Sequence, residues 1–299
     1  QVLLFGGYDG DYLGDTWIYD LSDNTWTERT FLTAPSPRDY HGMASIGDGQ
    51  VLLFGGNTGL PDIANDETWI YNVDGWRKKT TTSAPSARYR HAVAYAGADQ
   101  VVLFGGYDET DELLDTWAYD LSANTWTLKF VGIPSARSRH AMAHLGGDKV
   151  GLFGGQDGTD RYSDTWVYDL GANGWAEQPP TPSSRSAHAL ASLGEGQALL
   201  FGGYDGVYGR DDTWAYDLGT NTWTNQVPVA APSSRWSHAM GYVGGTQVVL
   251  FGGWDGAEDG ETWLYDLSGN TWTQQATGSS PAARHKHGMA PLGGDRALL

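Results

Sequence analysis

The chain has no cysteine among its 299 residues, which excludes disulfides, thiolate nucleophiles and thiolate metal sites and leaves the redox compartment open. It has no apolar run near the ~20 residues that a membrane-spanning helix needs, so no membrane insertion is expected. Nor does it open on a basic stretch followed by an apolar one: the first residue is Gln1, and any signal peptide is expected to have been removed or to lie outside this sequence. Basic residues are scarce, with 18 Lys and Arg against 36 Asp and Glu for a net charge of -18. That balance argues against nucleic acid or an anionic membrane as the general partner while leaving room for a local basic site. The location stays open, leaning to extracellular or periplasmic over cytoplasmic. Helical patterning is absent as well.

In place of these the chain has 42 Gly, 12 Pro, 14 Trp and 16 Tyr, a mixture suited to many short strands and turns. Phe5-Gly6-Gly7 recurs as Phe54-Gly55-Gly56, Phe104-Gly105-Gly106, Phe153-Gly154-Gly155, Phe201-Gly202-Gly203 and Phe251-Gly252-Gly253, each closing a short apolar run that reads as a buried strand. Glycine allows positive φ and close backbone approach there. A spacing of about 49 residues marks a repeat architecture.

The rest of each repeat keeps fixed distances from that motif. A second strand carries a Trp and a Tyr two residues apart, and so on one face: Trp17/Tyr19, Trp69/Tyr71, Trp117/Tyr119, Trp166/Tyr168, Trp214/Tyr216 and Trp263/Tyr265. An Asp- and Asn-rich turn follows. A third strand holds Trp26, Trp76, Trp126, Trp175, Trp223 or Trp272, and then Arg-x-x-His opens a fourth, from Arg38/His41 to Arg284/His287. That strand alternates a larger residue (Met43, Val93, Met142, Leu190, Met240, Met289) with Gly or Ala, as expected for a crowded strand buried on both faces.

Four strands per unit, six units and no helix predict an all-β, six-bladed β-propeller rather than a sandwich. The double glycine, the Tyr-Asp after the first Trp, the Asn-x-Trp of the next strand and the Arg after it resemble the Kelch family across essentially the whole chain. Repeat two departs, with Asn72 for Asp and a hairpin shortened at Val73-Asp74-Gly75-Trp76. The resemblance implies one Kelch domain over 1–299, with the strand after Arg-x-x-His innermost and the second-Trp strand outermost. Residues 1–7 must then complete the last blade by pairing with the C-terminal strand, which removes two open edges. Arg296 to Leu299 repeats the position that Gln1 to Leu4 already fills, so the tail is expected to be displaced or to belong to a longer chain, and self-association through 296–299 is one outcome that a strand with no slot at home allows.

Residues identical in every blade serve what every blade needs. The six histidines lie too far apart around an axis to converge on one ion, and the six repeated arginines read as blade-to-blade hydrogen-bonding groups. The twelve repeated tryptophans read as core, each worth several kcal/mol from burying about 150–250 Å². Function is expected where the blades differ. One variable set follows the double glycine: Tyr8, Asn57, Tyr107, Gln156, Tyr204 and Trp254. The other lies two residues after each repeat Arg: Tyr40, Arg90, Arg139, Ala187, Ser237 and Lys286. Antiparallel pairing brings the two together around the channel mouth. Trp236 and Trp254, the tryptophans outside the repeat, fall on this face.

Arg90, Arg139 and Lys286, flanked by aromatic rings on a strongly acidic molecule, suit an anionic ligand such as an acidic peptide or acidic sugar. Peptide-binding Kelch domains, as the resemblance implies, use the same two positions. The leading reading is therefore a non-catalytic recognition module for a protein, peptide or glycan, with no cofactor. An enzyme of the sialic-acid mutarotase type and a structural subunit of an extracellular assembly are the alternatives. Copper chemistry of the galactose-oxidase kind lacks its cysteine here. The Asp-Gly loops, as at Asp157 to Asp160 and Asp255 to Asp259, could offer oxygens to calcium, but they do not follow a full calcium-loop pattern and are also ordinary turn chemistry.

Overall fold

The computed structural model describes residues 1–59, 63–131 and 133–293. These form six four-stranded antiparallel sheets. Blade 1 runs, from the axis outward, Gly288–Pro291, Val2–Tyr8, Tyr12–Asp20 and Thr25–Arg29, and blade 2 runs Gly42–Gly47, Gln50–Phe54, Thr68–Asn72 and Gly75–Lys79. Blades 3 to 6 repeat this order from inner strands at Ala92–Tyr95, Ala141–His144, Ala189–Gly194 and Ala239–Gly244. The ring closes as expected: the N-terminal strand pairs with the C-terminal one from Val2↔Pro291 to Phe5↔Gly288, and Leu292 N–H donates to Gln1 O at 2.9 Å. The surplus segment Arg296 to Leu299, and with it the self-association expected of 296–299, lies outside the described residues.

Period-two alternation packs the blades face to face. Leu3 and Phe5 join Val51, Leu53 and Trp76 of blade 2, whereas Val2 and Leu4 join Phe251 of blade 6. Each apolar run ending in Phe-Gly-Gly is thus sandwiched between neighbours, which is why it is continuous rather than alternating. The outer-strand tryptophans fasten the same seams. The Trp26 ring lies edge-on 5.2 Å from Phe251, and its indole N–H donates to Thr262 Oγ1 at 2.9 Å across the blade boundary. Trp76, Trp126, Trp175, Trp223 and Trp272 make the same bond to Thr16, Thr68, Thr116, Thr165 and Thr213.

The expectation of a twelve-tryptophan core needs correcting. The outer-strand set is buried apart from Trp223, but of the first set only Trp69 is; the others stay partly exposed. They are held by a carboxylate two residues earlier, as Trp117 Nε1–H to Asp115 Oδ2 at 2.6 Å. The larger residues of the inner strands pack between sheets as expected, Met142 against Ala92 and Phe104 and Met240 against Ala189 and Phe201 of the preceding blades. Met43, Val93, Met142, Leu190, Met240 and Met289 also line the axial channel, separating a cavity of about 190 Å³ from a smaller one of about 70 Å³. Six strands converging on an axis leave an unfilled hole, and these side chains fill it.

The double glycine is a steric requirement. A Cβ on Gly105 would lie 2.6 Å from Arg137 O, and one on Gly106 would lie 2.7 Å from His91 Cβ, with φ at +61° and +104°. Both distances are too short for any side chain, and the conformation favours glycine.

Candidate functional site

Two rings of residues, two positions apart in every repeat, build the channel mouth. The first is the repeated arginine, and it joins blades as its recurrence suggested. Arg137 N–H donates to Leu113 O, and Gly106 N–H donates to Arg137 O at 2.9 Å, both on blade 3. The guanidinium turns the other way into blade 4, reaching Gly154 O at 2.9 Å and forking onto Asp164 at 2.6 and 2.7 Å. Asp164 also accepts from Trp166 Nε1–H at 2.7 Å. All six arginines are wholly buried, each with the carboxylate two residues before a first-set tryptophan: Glu67, Asp115, Asp164, Asp212, Glu261 and Asp15. Sequence reading missed these carboxylates as partners, although the acid-x-Trp spacing in every repeat was the available signal.

The second ring is the variable position. Tyr40, Arg90, Arg139, Ala187, Ser237 and Lys286 all take left-handed φ between +52° and +61°. In that conformation the peptide groups point around the axis and close a circle. Arg90 N–H donates to Tyr40 O, Arg139 to Arg90, Ala187 to Arg139, Ser237 to Ala187, Lys286 to Ser237 and Tyr40 to Lys286, at 2.7–2.9 Å. Left-handed geometry costs a residue with a Cβ on the order of 1 kcal/mol, and glycine would remove that cost. None of the six positions is glycine, so side chains are held at the rim against a conformational preference.

Around this circle the mouth is lopsided. Lys286, Tyr40, Arg90 and Arg139 occupy four successive blades, and Ala187 and Ser237 occupy the other two. The Tyr40 ring lies between the three cations, with Arg90 Cζ at 5.0 Å, Lys286 Nζ at 5.1 Å and Arg139 Cζ at 5.6 Å from its centroid. Arg90 also covers Tyr89 at 4.9 Å, and Lys286 covers Tyr8 at 4.8 Å. Neither Arg90 nor Arg139 forms an ion pair among the described residues. Both bury an Nε with no hydrogen-bond partner. Burial, with Arg90 and Arg161 nearby, pushes the Arg139 guanidinium below its ordinary pKa.

One carboxylate sits beneath this arc. Asp39 is 1% exposed, lies 3.5 Å from Lys286 Nζ, and leaves Oδ1 unpartnered. Burial raises its pKa to about 6 despite Lys286 and Arg90. The repeated histidines line the cavity below the rim and are neutral: burial brings His91, His188 and His238 to about 3 and puts His41, His140 and His287 well below the usual imidazole value. His140 Nε2 faces Phe104 O at 3.1 Å and its ring packs edge-on against Phe104 of the neighbouring blade.

The set after the double glycine lies one position further out. Backbone bridges tie Tyr8 to His285, Asn57 to Asp39, Tyr107 to Tyr89, Gln156 to Ser138, Tyr204 to Ser186 and Trp254 to Trp236, so the two variable sets do converge at one end of the channel. Their side chains are partly committed. Asn57 Nδ2 donates to Tyr12 OH at 3.1 Å, and Gln156 Oε1 accepts from Ser186 at 2.9 Å. Tyr107 and Tyr204 bond carbonyls of their own loops. Trp236 and Trp254 belong to one blade but do not touch through their rings: Trp236 packs 5.1 Å from Tyr204 and Trp254 packs 5.4 Å from His285. Trp236 and Tyr204 thereby flank the half of the mouth floored by Ala187 and Ser237. Arg161, over Tyr204 at 4.9 Å, adds a cation there that position-by-position reading overlooked.

The Asp157 loop is an Asx turn, whereas the Asp255 carboxylate accepts from Ser233 Oγ at 2.9 Å. Asp157 Oδ1 accepts from the N–H groups of Thr159 and Asp160, and Oδ2 accepts from Tyr162 OH at 2.7 Å. Among the described residues no three His, Asp or Glu are grouped to hold a metal ion.

Comparison with known proteins agrees with this architecture. The KLHDC2/KLHL20/DRC7 Kelch-repeats domain family matches at residues 1–127, 74–228 and 133–299. An F-box/kelch-repeat protein of Arabidopsis thaliana is 39% identical over 71 residues, 22% of this chain and 15% of that protein. Host cell factor of Drosophila melanogaster is 36% identical over 67 residues, 22% of this chain and 4% of its own length. Human Kelch domain-containing protein 2 is 34% identical over 58 residues, 19% of this chain and 14% of that protein. These matches each span a small part of a longer relative, whereas the family match runs from end to end, and the chain belongs to the Kelch-repeat family.

Proposed function

We propose that this Kelch propeller is a non-catalytic recognition module that binds an acidic segment of a partner protein at the channel mouth. The observation that carries the reading is the arc of Arg90, Arg139 and Lys286 around the Tyr40 ring. These cations converge on a cavity, and two of them have no carboxylate of their own. On a chain of net charge -18 such an arc is a local inversion that would steer and orient a negatively charged segment. An incoming carboxylate would relieve the crowding of like charge at Arg139 and form charge-assisted hydrogen bonds. The floor at Ala187 and Ser237, flanked by Tyr204 and Trp236, leaves room for the apolar part of the same segment. Kelch membership supports a protein as the class of partner.

The test is fluorescence anisotropy with a labelled peptide of alternating Glu and aromatic residues, set beside sialic acid as a competitor. Replacing Arg90, Arg139 and Lys286 together with Ala is expected to weaken the peptide more than about tenfold, since each charge-assisted bond contributes roughly 1.5–3 kcal/mol. Unchanged peptide affinity in the triple variant sinks the reading. Displacement by millimolar sialic acid would move the assignment to an acidic glycan.

A further inference from the structure

A third cavity, of about 500 Å³, opens on the seam between blades 1 and 2, lined by Ile18, Arg29, Thr30, Phe31, Tyr71 and Leu292 among others. Its origin is readable in the repeat. In the five other blades the tyrosine of the second strand donates its hydroxyl to an asparagine of the following turn: Tyr19 to Asn24, Tyr119 to Asn124, Tyr168 to Asn173, Tyr216 to Asn221 and Tyr265 to Asn270. The amide nitrogen of that asparagine then crosses to the preceding blade. Asn24, Asn124, Asn173 and Asn270 donate to the carbonyls of Ala276, Thr80, Lys129 and Gln226, and Asn221 donates to the Gln178 side chain. One carboxamide thus bridges a phenol donor on one blade and an oxygen acceptor on the next.

Blade 2 lacks this bridge. Its hairpin runs from Tyr71 to Trp76 where blade 1 runs from Tyr19 to Trp26, two residues longer, and the asparagine has been lost with the shortening. Gly75, opposite Asn72 as Thr25 is opposite Asp20, takes a positive φ of +114°, and a Cβ there would meet Phe31 Cδ1 at 2.6 Å. Tyr71 therefore keeps the buried ring of its counterparts, 3% exposed, without their asparagine. Across the seam Thr30, the blade 1 counterpart of the acceptor residues Ala276 and Thr80, lines the same cavity. Both halves of the bridge remain and the carboxamide between them is missing. Phe31, edge-on to Tyr71 at 5.9 Å, and Ile18 supply apolar walls. A volume of this size is in the range of sites for small molecules.

We propose that this seam cavity binds a carboxamide attached to an apolar or aromatic body, its carbonyl accepting from Tyr71 OH and its N–H donating to the backbone of the Thr30 strand end. The site is separate from the channel mouth and is independent of the function proposed there. Arg29, on the cavity wall, offers a carboxylate an alternative anchor, so the amide and acid forms of one scaffold separate the two chemistries.

The experiment is a ligand-observed NMR titration of the whole chain with benzamide, benzoate and toluene. Benzamide is expected to bind at least about fivefold tighter than either of the others, and Tyr71→Phe is expected to remove that preference while leaving toluene binding unchanged, a loss that matches one hydrogen bond. Benzoate binding tighter than benzamide overturns the amide assignment in favour of an anion held by Arg29. Equal binding of all three, no binding, or benzamide affinity unchanged in Tyr71→Phe overturns it outright. Should Tyr71→Phe fail to fold, the ranking of the three probes on the parent chain decides alone.

Discussion

Arg137 and Arg139 stand two residues apart in one connection and have opposite fates. Arg137 is sheathed: its guanidinium is wholly buried, forked onto Asp164 and bonded to Gly154 O. Arg139 lies at the rim, over the Tyr40 ring, with a buried Nε that nothing accepts. The same residue type is scaffold where every blade supplies a carboxylate and, in the function proposed above, a recognition group where no blade does. Identity across blades thus goes with structure, and variation on a strained, identical backbone is where the proposal places the partner.

The sharpest way to break the comparison is to remove one member of each ring. Arg137→Ala leaves Asp164 without its counter-charge, and breaking such a pair costs roughly 3–5 kcal/mol. Urea denaturation is expected to show that loss, whereas Arg139→Ala is expected to leave the urea midpoint nearly unchanged and to act on ligand affinity alone. Equal destabilisation by both would erase the distinction.

Acid tests the scaffold next. The repeated histidines have folded pKa values far below the unfolded value near 6.5, so the folded state binds fewer protons and stability is present above that pH and lost as pH falls beneath it. Each histidine contributes a slope of up to about 1.4 kcal/mol per pH unit. Circular dichroism should show cooperative acid unfolding, and His140→Gln should make the decline shallower. Asp39 runs the other way. Its folded pKa of about 6 exceeds the unfolded one, so the folded state binds the extra proton and stability falls as pH rises from about 4 to 6. Protonation of Asp39 also frees Lys286 and removes a negative charge near Arg90, so acidic-peptide affinity should rise modestly between pH 7 and 5.5, and Asp39→Asn should show the tighter binding already at pH 7. A pH-independent affinity in the parent would separate Asp39 from the mouth.

The smallest expected effect concerns the seams. Asn124→Ala removes a bridge that blade 2 lacks naturally, and about 1 kcal/mol of stability should go with it. A loss near zero would mean that the bridge contributes little anywhere.

Much of this architecture was readable because repetition multiplies weak signals. One Phe-Gly-Gly is ambiguous, but six at constant spacing fixed the blade count, the strand order and the closure by Val2–Tyr8. The mouth was readable in outline for the same reason, since Tyr40, Arg90, Arg139 and Lys286 occupy one register position. What stayed hidden depends on side-chain direction. Met43 and its counterparts line a channel as well as packing between blades, and the alternating pattern reveals only the packing. Trp236 and Trp254 are bridge partners whose rings point to opposite neighbours. Asp39 and Arg161 entered the site through the fold of their loops and through no repeat position that the cations share. The Tyr71 cavity was foreshadowed by the shortened hairpin, but a missing residue shows what it bridged only once its five counterparts are seen in place.

A structure of the chain with a bound Glu-rich peptide tests the central claim most directly. The account predicts a peptide carboxylate within the arc of Arg90, Arg139 and Lys286, in hydrogen-bonding contact with at least one guanidinium, and its apolar neighbour over Ala187 and Ser237. A peptide seated on the outer strands or at the opposite end of the channel, with that arc untouched, would contradict it.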